Sequence, residues 1–521
     1  FEDDRVKYFK PQIPQLPYTV VYEYELKLKQ TLNLPEWHPQ PSGHVAVETS
    51  SFTFLAKPDF RTRIREVNLT QARQEVNEKE GKKITWTTQN LVALKTEPYS
   101  PPADTYLPGV EIAAVNFKYE GLPGTINNWQ EYGQWTYQNL LKGRDILPGA
   151  TINKVKDLVK DCSTTQEKVR KIYEYAQQKN RYISIQIGIG GLQPMQAEEV
   201  DRLGYGDCKA LTNYTKALLQ AVGIPSIYTE VYAGNFKRSY TPDFTSLQGN
   251  HVILCVPLSP QADTMWLECT SKTAPAGFLG SFTDDRYVLL CTDKGGIIAR
   301  TPRYEAQQNW QIRHANLILV ENGTLTGKVE TRFEGTQFDN REYLREKSPK
   351  EKLDEVREIY NIPNLDIIQY NLTEQKNGTP ATIEKLELST SQAGTVNGNL
   401  LLLQLNQLNH EISVPKELRQ RKNKVYINRG FMDEDVVTYQ LPKGYQLDYI
   451  PAPVDIQTVF GRFQTKAEVN NNELIYSRKL TLQQGEHSPE VYEQLISFFK
   501  KVVDSDHEKL ILKKQEILGY K

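Results

Sequence analysis

The chain of 521 residues is 39% apolar and 24% charged, an ordinary globular composition with length for about three domains. Its 63 basic and 64 acidic residues leave a formal net charge of −1, so no polycationic field draws it to nucleic acid or anionic lipid. No run approaches the ~18 apolar residues a membrane helix needs, and five cysteines without a C-x-x-C pair make neither a disulfide framework nor a structural zinc site. The opening Phe1-Glu2-Asp3-Asp4 carries no export signal, and a start at Phe suggests a mature or trimmed N-terminus.

Residues 1 to about 145 read as β-rich. Tyr18 to Leu28 alternates apolar and polar residues, the pattern of a half-buried strand, and similar runs recur at Val45–Phe54, Ile84–Val92 and Ile112–Tyr119. A short helix is expected over Ile152–Asp161. A second follows Ser163-Thr164-Thr165-Gln166, which has the form of a capping box, with Val169, Ile172, Tyr173 and Ala176 at helical spacing. The glycine-rich stretch Ile187–Gln193 runs into Pro194 rather than into a helix, so it is a poor phosphate cradle.

The segment Gly206-Asp207-Cys208-Lys209-Ala210-Leu211 is the most informative. Asp207 is a good N-cap; Leu211, Tyr214, Leu218 and Val222 form one apolar stripe, and Gly223 then Pro225 stop the helix. Cys208 is thereby set in the first turn, against unpaired N–H groups and the positive dipole end, which favour thiolate over thiol. Most free cysteines are small buried apolar groups, so the partners decide the matter. His251–Val256 and Thr264–Thr270 read as two strands around a turn, Pro257–Asp263. A hairpin symmetric about Ser259 and Pro260 sets His251 opposite Glu268 on one face, roughly 5 Å apart at Cβ. A carboxylate there orients the imidazole and stabilises its charged form, while the imidazole takes the thiol proton.

From Glu305 the chain is again mostly strands: Ala315–Val320 and Thr324–Phe333 about Asn322-Gly323, then Val436–Tyr439, Gln446–Tyr449, Gly461–Val469 and Glu473–Leu482. Lys350–Tyr360 is an amphipathic helix, and Ser488-Pro489 opens another carrying Val491, Leu495, Phe498, Phe499 and Val502.

Gly206-Asp207-Cys208-Lys209, the helix ending in Gly223-Ile224-Pro225, the strand start Asn250-His251-Val252 and Trp266-Leu267-Glu268 together resemble the transglutaminase-like core of the papain-like cysteine acyl-transferases, proteases and amidases. The spacing agrees, with 43 residues from Cys208 to His251 and 17 more to Glu268. The family's third member is usually aspartate; here it is Glu268. The flanks resemble the β-sandwich domain of unknown function and the C-terminal β domain that accompany such cores in secreted Gram-negative bacterial proteins, and the former usually extends further upstream than Phe1.

The resemblance implies an α+β multidomain protein. A papain-like transglutaminase core at 146–304 would lie between a β-rich sandwich domain at 1–145 and a β-rich C-terminal region at 305–521, the last of one or two subdomains. It implies catalytic roles for Cys208, His251 and Glu268, and an oxyanion donor in Gln193, the upstream glutamine by position. No metal or cofactor is required. Either water or an amine can accept the acyl group, and the substrate would be a peptide, a protein or cell-envelope material in the periplasm or outside the cell. The alternative is an inactive core that serves as a scaffold, with the β domains binding a protein or polysaccharide.

Overall fold

Alternating runs become strands where a neighbour completes their hydrogen-bonded ladder. The computed structural model describes residues 5–12, 15–79, 81–258, 264–376, 379–409 and 413–515. In the N-terminal block, β1 (Val47–Ala56), β2 (Thr62–Val67), β3 (Gln74–Glu78) and β4 (Gly81–Leu91) are followed by β5 (Gly109–Ala114). Strand β4 lies between β1 and β3, and β2 pairs with β5, all antiparallel. Ile84 and Trp86 alternate inward on β4, and the ring of Phe52 stacks on both Trp37 and Trp86. A small hairpin, β6 (Asn116–Tyr119) and β7 (Leu122–Thr125), completes the block.

Tyr18–Leu28 departs from expectation: it forms no strand, and Val21, Tyr22, Tyr24 and Leu26 are exposed. Its alternation is that of a strand, but no ladder partner lies beside it among the described residues. A period of two supplies a face and no hydrogen bonds.

The chain divides into two compact units, one of residues 1–94 and 107–302, the other of 95–106 and 303–521. In the first unit α1 (Trp129–Thr136) is capped by Asn128, whose side chain accepts from the Glu131 N–H. Helix α2 (Gly149–Leu158) precedes α3 (Thr165–Lys179), whose capping box is Thr164 with Glu167, one residue later than the sequence pattern suggests. Glu167 accepts from the backbone N–H groups of both Ser163 and Thr164 and adds a favourable charge at the helix start, which glutamine at 166 does not offer. Strand β8 (Arg181–Tyr182) runs parallel to β9 (Tyr205–Gly206), with α4 (Ala197–Leu203) between them. Helix α5 (Cys208–Gln220) follows directly.

Five further strands form one antiparallel sheet: β10 (Ile227–Val231), β11 (His251–Pro257), β12 (Thr264–Leu267), β13 (Tyr287–Thr292) and β14 (Gly295–Arg300), in the order β12-β11-β10-β13-β14. The α5 stripe, including Leu211, Tyr214 and Leu218, packs with Leu254, Val256 and Leu267 of the sheet and with Val169, Ile172 and Tyr173 of α3. A second cluster joins Phe117, Trp129, Tyr132 and Trp135 to Cys208, Tyr228 and Val252.

The second unit is built on an eight-stranded sheet. In spatial order its strands are Leu365–Gln375, Ala381–Thr390, Leu325–Glu334, Trp310–Leu319, Phe431–Gln440, Glu473–Leu482, Gly461–Asn470 and Val454–Thr458. The pairing of Trp310–Leu319 with Phe431–Gln440 is parallel, and the others are antiparallel. The hairpin around Asn322-Gly323 is as read from the sequence, with Gly323 at φ +85°. The helix after Ser488 opens as a 3₁₀ turn, Pro489–Val491, and becomes α-helical over Tyr492–Asp506. Arg478 is fully buried against Asp506, with paired hydrogen bonds of 2.7 and 2.8 Å. No helix among the described residues is long and apolar enough to cross a membrane.

Candidate active site

The capped turn that opens α5 positions the cysteine. Asp207 accepts from the Ala210 N–H at 2.9 Å through one carboxylate oxygen and pairs with Lys209 through the other. Gly206 is required by close approach, since a Cβ there would lie 2.7 Å from the Ala210 methyl. Cys208 is 5% exposed and lines a cleft of about 390 Å³ together with Gln186, Tyr228, Glu230, Asn250 and His251. The amide N–H groups of the first helical turn have no intrahelical acceptors, and Cys208 is the first residue of that turn.

His251 opens β11, and Glu268 follows the last residue of β12. The expected pairing of the two is displaced. The ladder joins Leu254 to Leu267 and Cys255 to Trp266, a register that, continued, sets Thr270 opposite His251. The shift is two residues, so Glu268 stays on the His251 face and reaches it diagonally. The turn centre inferred at Ser259 and Pro260 lies outside the described residues.

The longer glutamate side chain spans that diagonal: the imidazole Nε2–H donates to Glu268 Oε1 at 2.9 Å and lies 3.1 Å from Oε2. The remaining ring nitrogen, Nδ1, is the one available to Cys208, with which His251 also hydrogen-bonds. Glu268 is fixed in turn by the Thr270 hydroxyl, which donates to Oε1 at 2.6 Å, and the Tyr173 hydroxyl of α3 holds the Glu268 carbonyl at 2.7 Å. Phe282 meets the imidazole edge to face, with ring centroids 5.2 Å apart.

Burial opposes charge on His251, but the Glu268 carboxylate and the hydrogen bonds with Cys208 and Glu268 outweigh it and raise its pKa to about 10. Burial likewise opposes charge on Glu268, yet the imidazolium and the two Thr270 hydrogen bonds hold its carboxyl below the usual range. Near neutrality the pair is therefore an imidazolium and a carboxylate. The other core thiols lack such surroundings: burial pushes Cys255 and Cys269 up to about 12, and burial together with the nearby Glu230 pushes Cys291 well above the ordinary thiol range.

Gln193 is not brought to this group. It does not line the cleft, and its amide is directed to the Asn139 carbonyl at 3.4 Å. Gln186 does line the cleft, with its amide donating to Ser184 Oγ at 3.3 Å. Sequence position favoured Gln193 because the loop's path was not visible; after the 3₁₀ turn Gly188–Gly191 the chain still lines the cleft through Gly191 and Leu192, and Gln193 is the residue that turns away. Two further residues escaped sequence reading. Thr270 follows Glu268 by two residues, the spacing at which a threonine in the turn after β12 reaches back to a carboxylate, and Glu230 is an acid within the otherwise neutral strand Ile227–Val231. Each carried that signal. No group of three or more His, Cys, Asp or Glu placed to hold a metal occurs among the described residues.

The described residues form a β-rich multidomain protein whose few helices lie mainly in the first unit, and family models match both ends of the chain. Residues 1–95 match a domain of unknown function, DUF3857, and residues 399–512 match another, DUF3858. The chain superposes on the crystal structure of a "putative protease" from Parabacteroides distasonis with a TM-score of 0.57 at 13% identity, covering 92% of this chain and 76% of that one. At that identity the likeness is one of fold. A "putative cysteine protease" from Cytophaga hutchinsonii aligns at 12% identity with a TM-score of 0.20, over 43% of this chain and 73% of that one. No curated protein matches the chain.

Proposed function

We propose that the first unit carries a papain-like thiol enzyme that cleaves or transfers the acyl group of peptide or carboxamide substrates, with Cys208 as nucleophile. The supporting observation is the position of His251, which hydrogen-bonds with Cys208 and Glu268 at the wall of a single cleft. The sulfur attacks the carbonyl carbon, and His251 returns a proton to the departing amine, leaving a thioester on Cys208. Water or a second amine then attacks the thioester, His251 accepts the attacking group's proton, and the carbon–sulfur bond breaks. Glu268 keeps the ring oriented and its charged form stable throughout. The oxyanion would be met by the Cys208 backbone N–H and the Gln186 amide. The expected setting, the periplasm or the cell exterior, belongs to the same proposal and rests on the resemblance of the flanking domains.

Peptide-resolved alkylation with iodoacetamide tests the reading. Cys208 should react far faster than Cys162, Cys255, Cys269 and Cys291, and His251→Ala should remove that advantage while the protein stays folded. Cys208→Ala should abolish turnover in a peptide and amine screen. A Cys208 that reacts no faster than the partly exposed Cys162 would favour the scaffold reading instead.

A further inference from the structure

The proposed acyl-transfer step leaves one acid of the cleft unused. Glu230 lies on β10 opposite Val252 of β11 and shares a strand face with Tyr228, and all three residues line the cleft. The hydroxyl of Tyr240 donates to its Oε2 at 3.1 Å, the hydroxyl of Tyr132 bonds to it as well, and the Cys291 thiol lies 3.9 Å from Oε1. All three donors are neutral. The lysine that lines the same cleft, Lys209, is already paired with Asp207. Arg63 of the same unit donates to the carbonyls of Ala114, Ile126 and Thr245. Glu230 is thus a carboxyl beside a substrate-sized cavity with no cationic partner among the described residues. Burial pushes it up to about 7, and its hydrogen bonds offset that only in part. An enclosed carboxylate of this kind gains most from a cation brought in through the open side.

We propose that Glu230 makes the cleft selective for substrates that carry an ammonium or guanidinium group next to the reacting carbonyl. The group is either a basic side chain or a free α-amino end of the peptide. This inference rests on the reading of the cleft as a thiol active site. Glu230 acts as a specificity residue, receiving the cation while Cys208 and His251 act on the carbonyl. A charge-assisted hydrogen bond in such surroundings corresponds to a preference on the order of ten- to a hundredfold in kcat/KM.

The test uses the full chain and two thiol reagents, cationic 2-aminoethyl methanethiosulfonate and neutral methyl methanethiosulfonate. The ratio of their rates at Cys208, normalised to the same ratio at Cys162, should fall about tenfold in Glu230→Gln and be kept in Glu230→Asp, which retains the charge. A ratio unchanged in Glu230→Gln overturns the proposal. Should Glu230→Gln fail to fold, a wild-type ratio at Cys208 no greater than that at Cys162 does the same. The neutral reagent separates the two readings: a Cys208 no faster than Cys162 toward it defeats the thiol-enzyme reading, whatever the charge ratio shows. Four versions of one peptide, with the side chain lysine or norleucine and the amino end free or acetylated, then identify the source of the cation. Equal kcat/KM for all four would also overturn the proposal.

Discussion

Glu268→Gln tests the electrostatics of the site most directly, because glutamine keeps the size of the side chain and an oxygen for the Thr270 hydroxyl while removing the charge. His251 stands at about 10 in the folded protein against an ordinary value of 6.5. A group raised in this way stabilises the fold fully below its unfolded value, and the benefit is lost as pH rises through its folded value. The ring's contribution is ~4 kcal/mol at pH 7 and under ~1 kcal/mol at pH 10. Glu268, held below its ordinary range, adds stability that is present above ~4.5 and lost as pH falls through its folded value. The gap between wild type and Glu268→Gln should therefore be widest between about pH 5 and 6.5 and remain large at pH 7. At 2–4 °C per kcal/mol it corresponds to roughly 10 °C at pH 7 in the calorimetric transition of the first unit. It should close to a few degrees at pH 10. A gap of equal size at pH 7 and pH 10 would refute the argument, because it would assign the role of Glu268 to neutral hydrogen bonding rather than to the ion pair.

Thr270→Val removes the 2.6 Å hydroxyl contact with Glu268 and should cost about 1.5–3 kcal/mol, the range for a bond to a charged group; denaturation and the pH profile of turnover should shift together. Gln186→Ala should lower kcat by roughly a hundred- to a thousandfold if its amide meets the oxyanion, whereas Gln193→Ala should leave steady-state kinetics within about twofold, being turned to the Asn139 carbonyl. Gly133→Ala would set a methyl 2.3 Å from the Gly296 Cα, where α1 lies directly on β14. The backbones must separate, and calorimetry should show a loss of about 1–3 kcal/mol in the first unit. Leu254→Ala, at a fully buried position between the sheet and α5, should cost about 2–5 kcal/mol without changing the charge preference assigned to Glu230.

Local chemistry was legible where it depends on neighbours in sequence. Asp207 as cap, Cys208 in the first turn and the apolar stripe of α5 follow from residue order, because a helix closes its hydrogen bonds within four residues. The shared face of His251 and Glu268 was legible for a related reason. Strand faces repeat every two residues, so the two-residue displacement of the actual ladder left the pair together. Tyr18–Leu28 shows the limit of such patterns, since its alternation is as clear as that of β4 and yet it has no ladder. A strand needs a partner that residue order cannot supply. Tertiary structure alone decided which glutamine reaches the cleft, and it set Tyr240 and Tyr132, distant in the chain, against Glu230. It also decided the charge of His251. Burial and a carboxylate 2.9 Å away act on that ring in opposite directions, and their balance depends on distance and enclosure. The sequence by itself determined the chemical groups and their local settings; the packing of the first unit determined which of them meet, and in which protonation state.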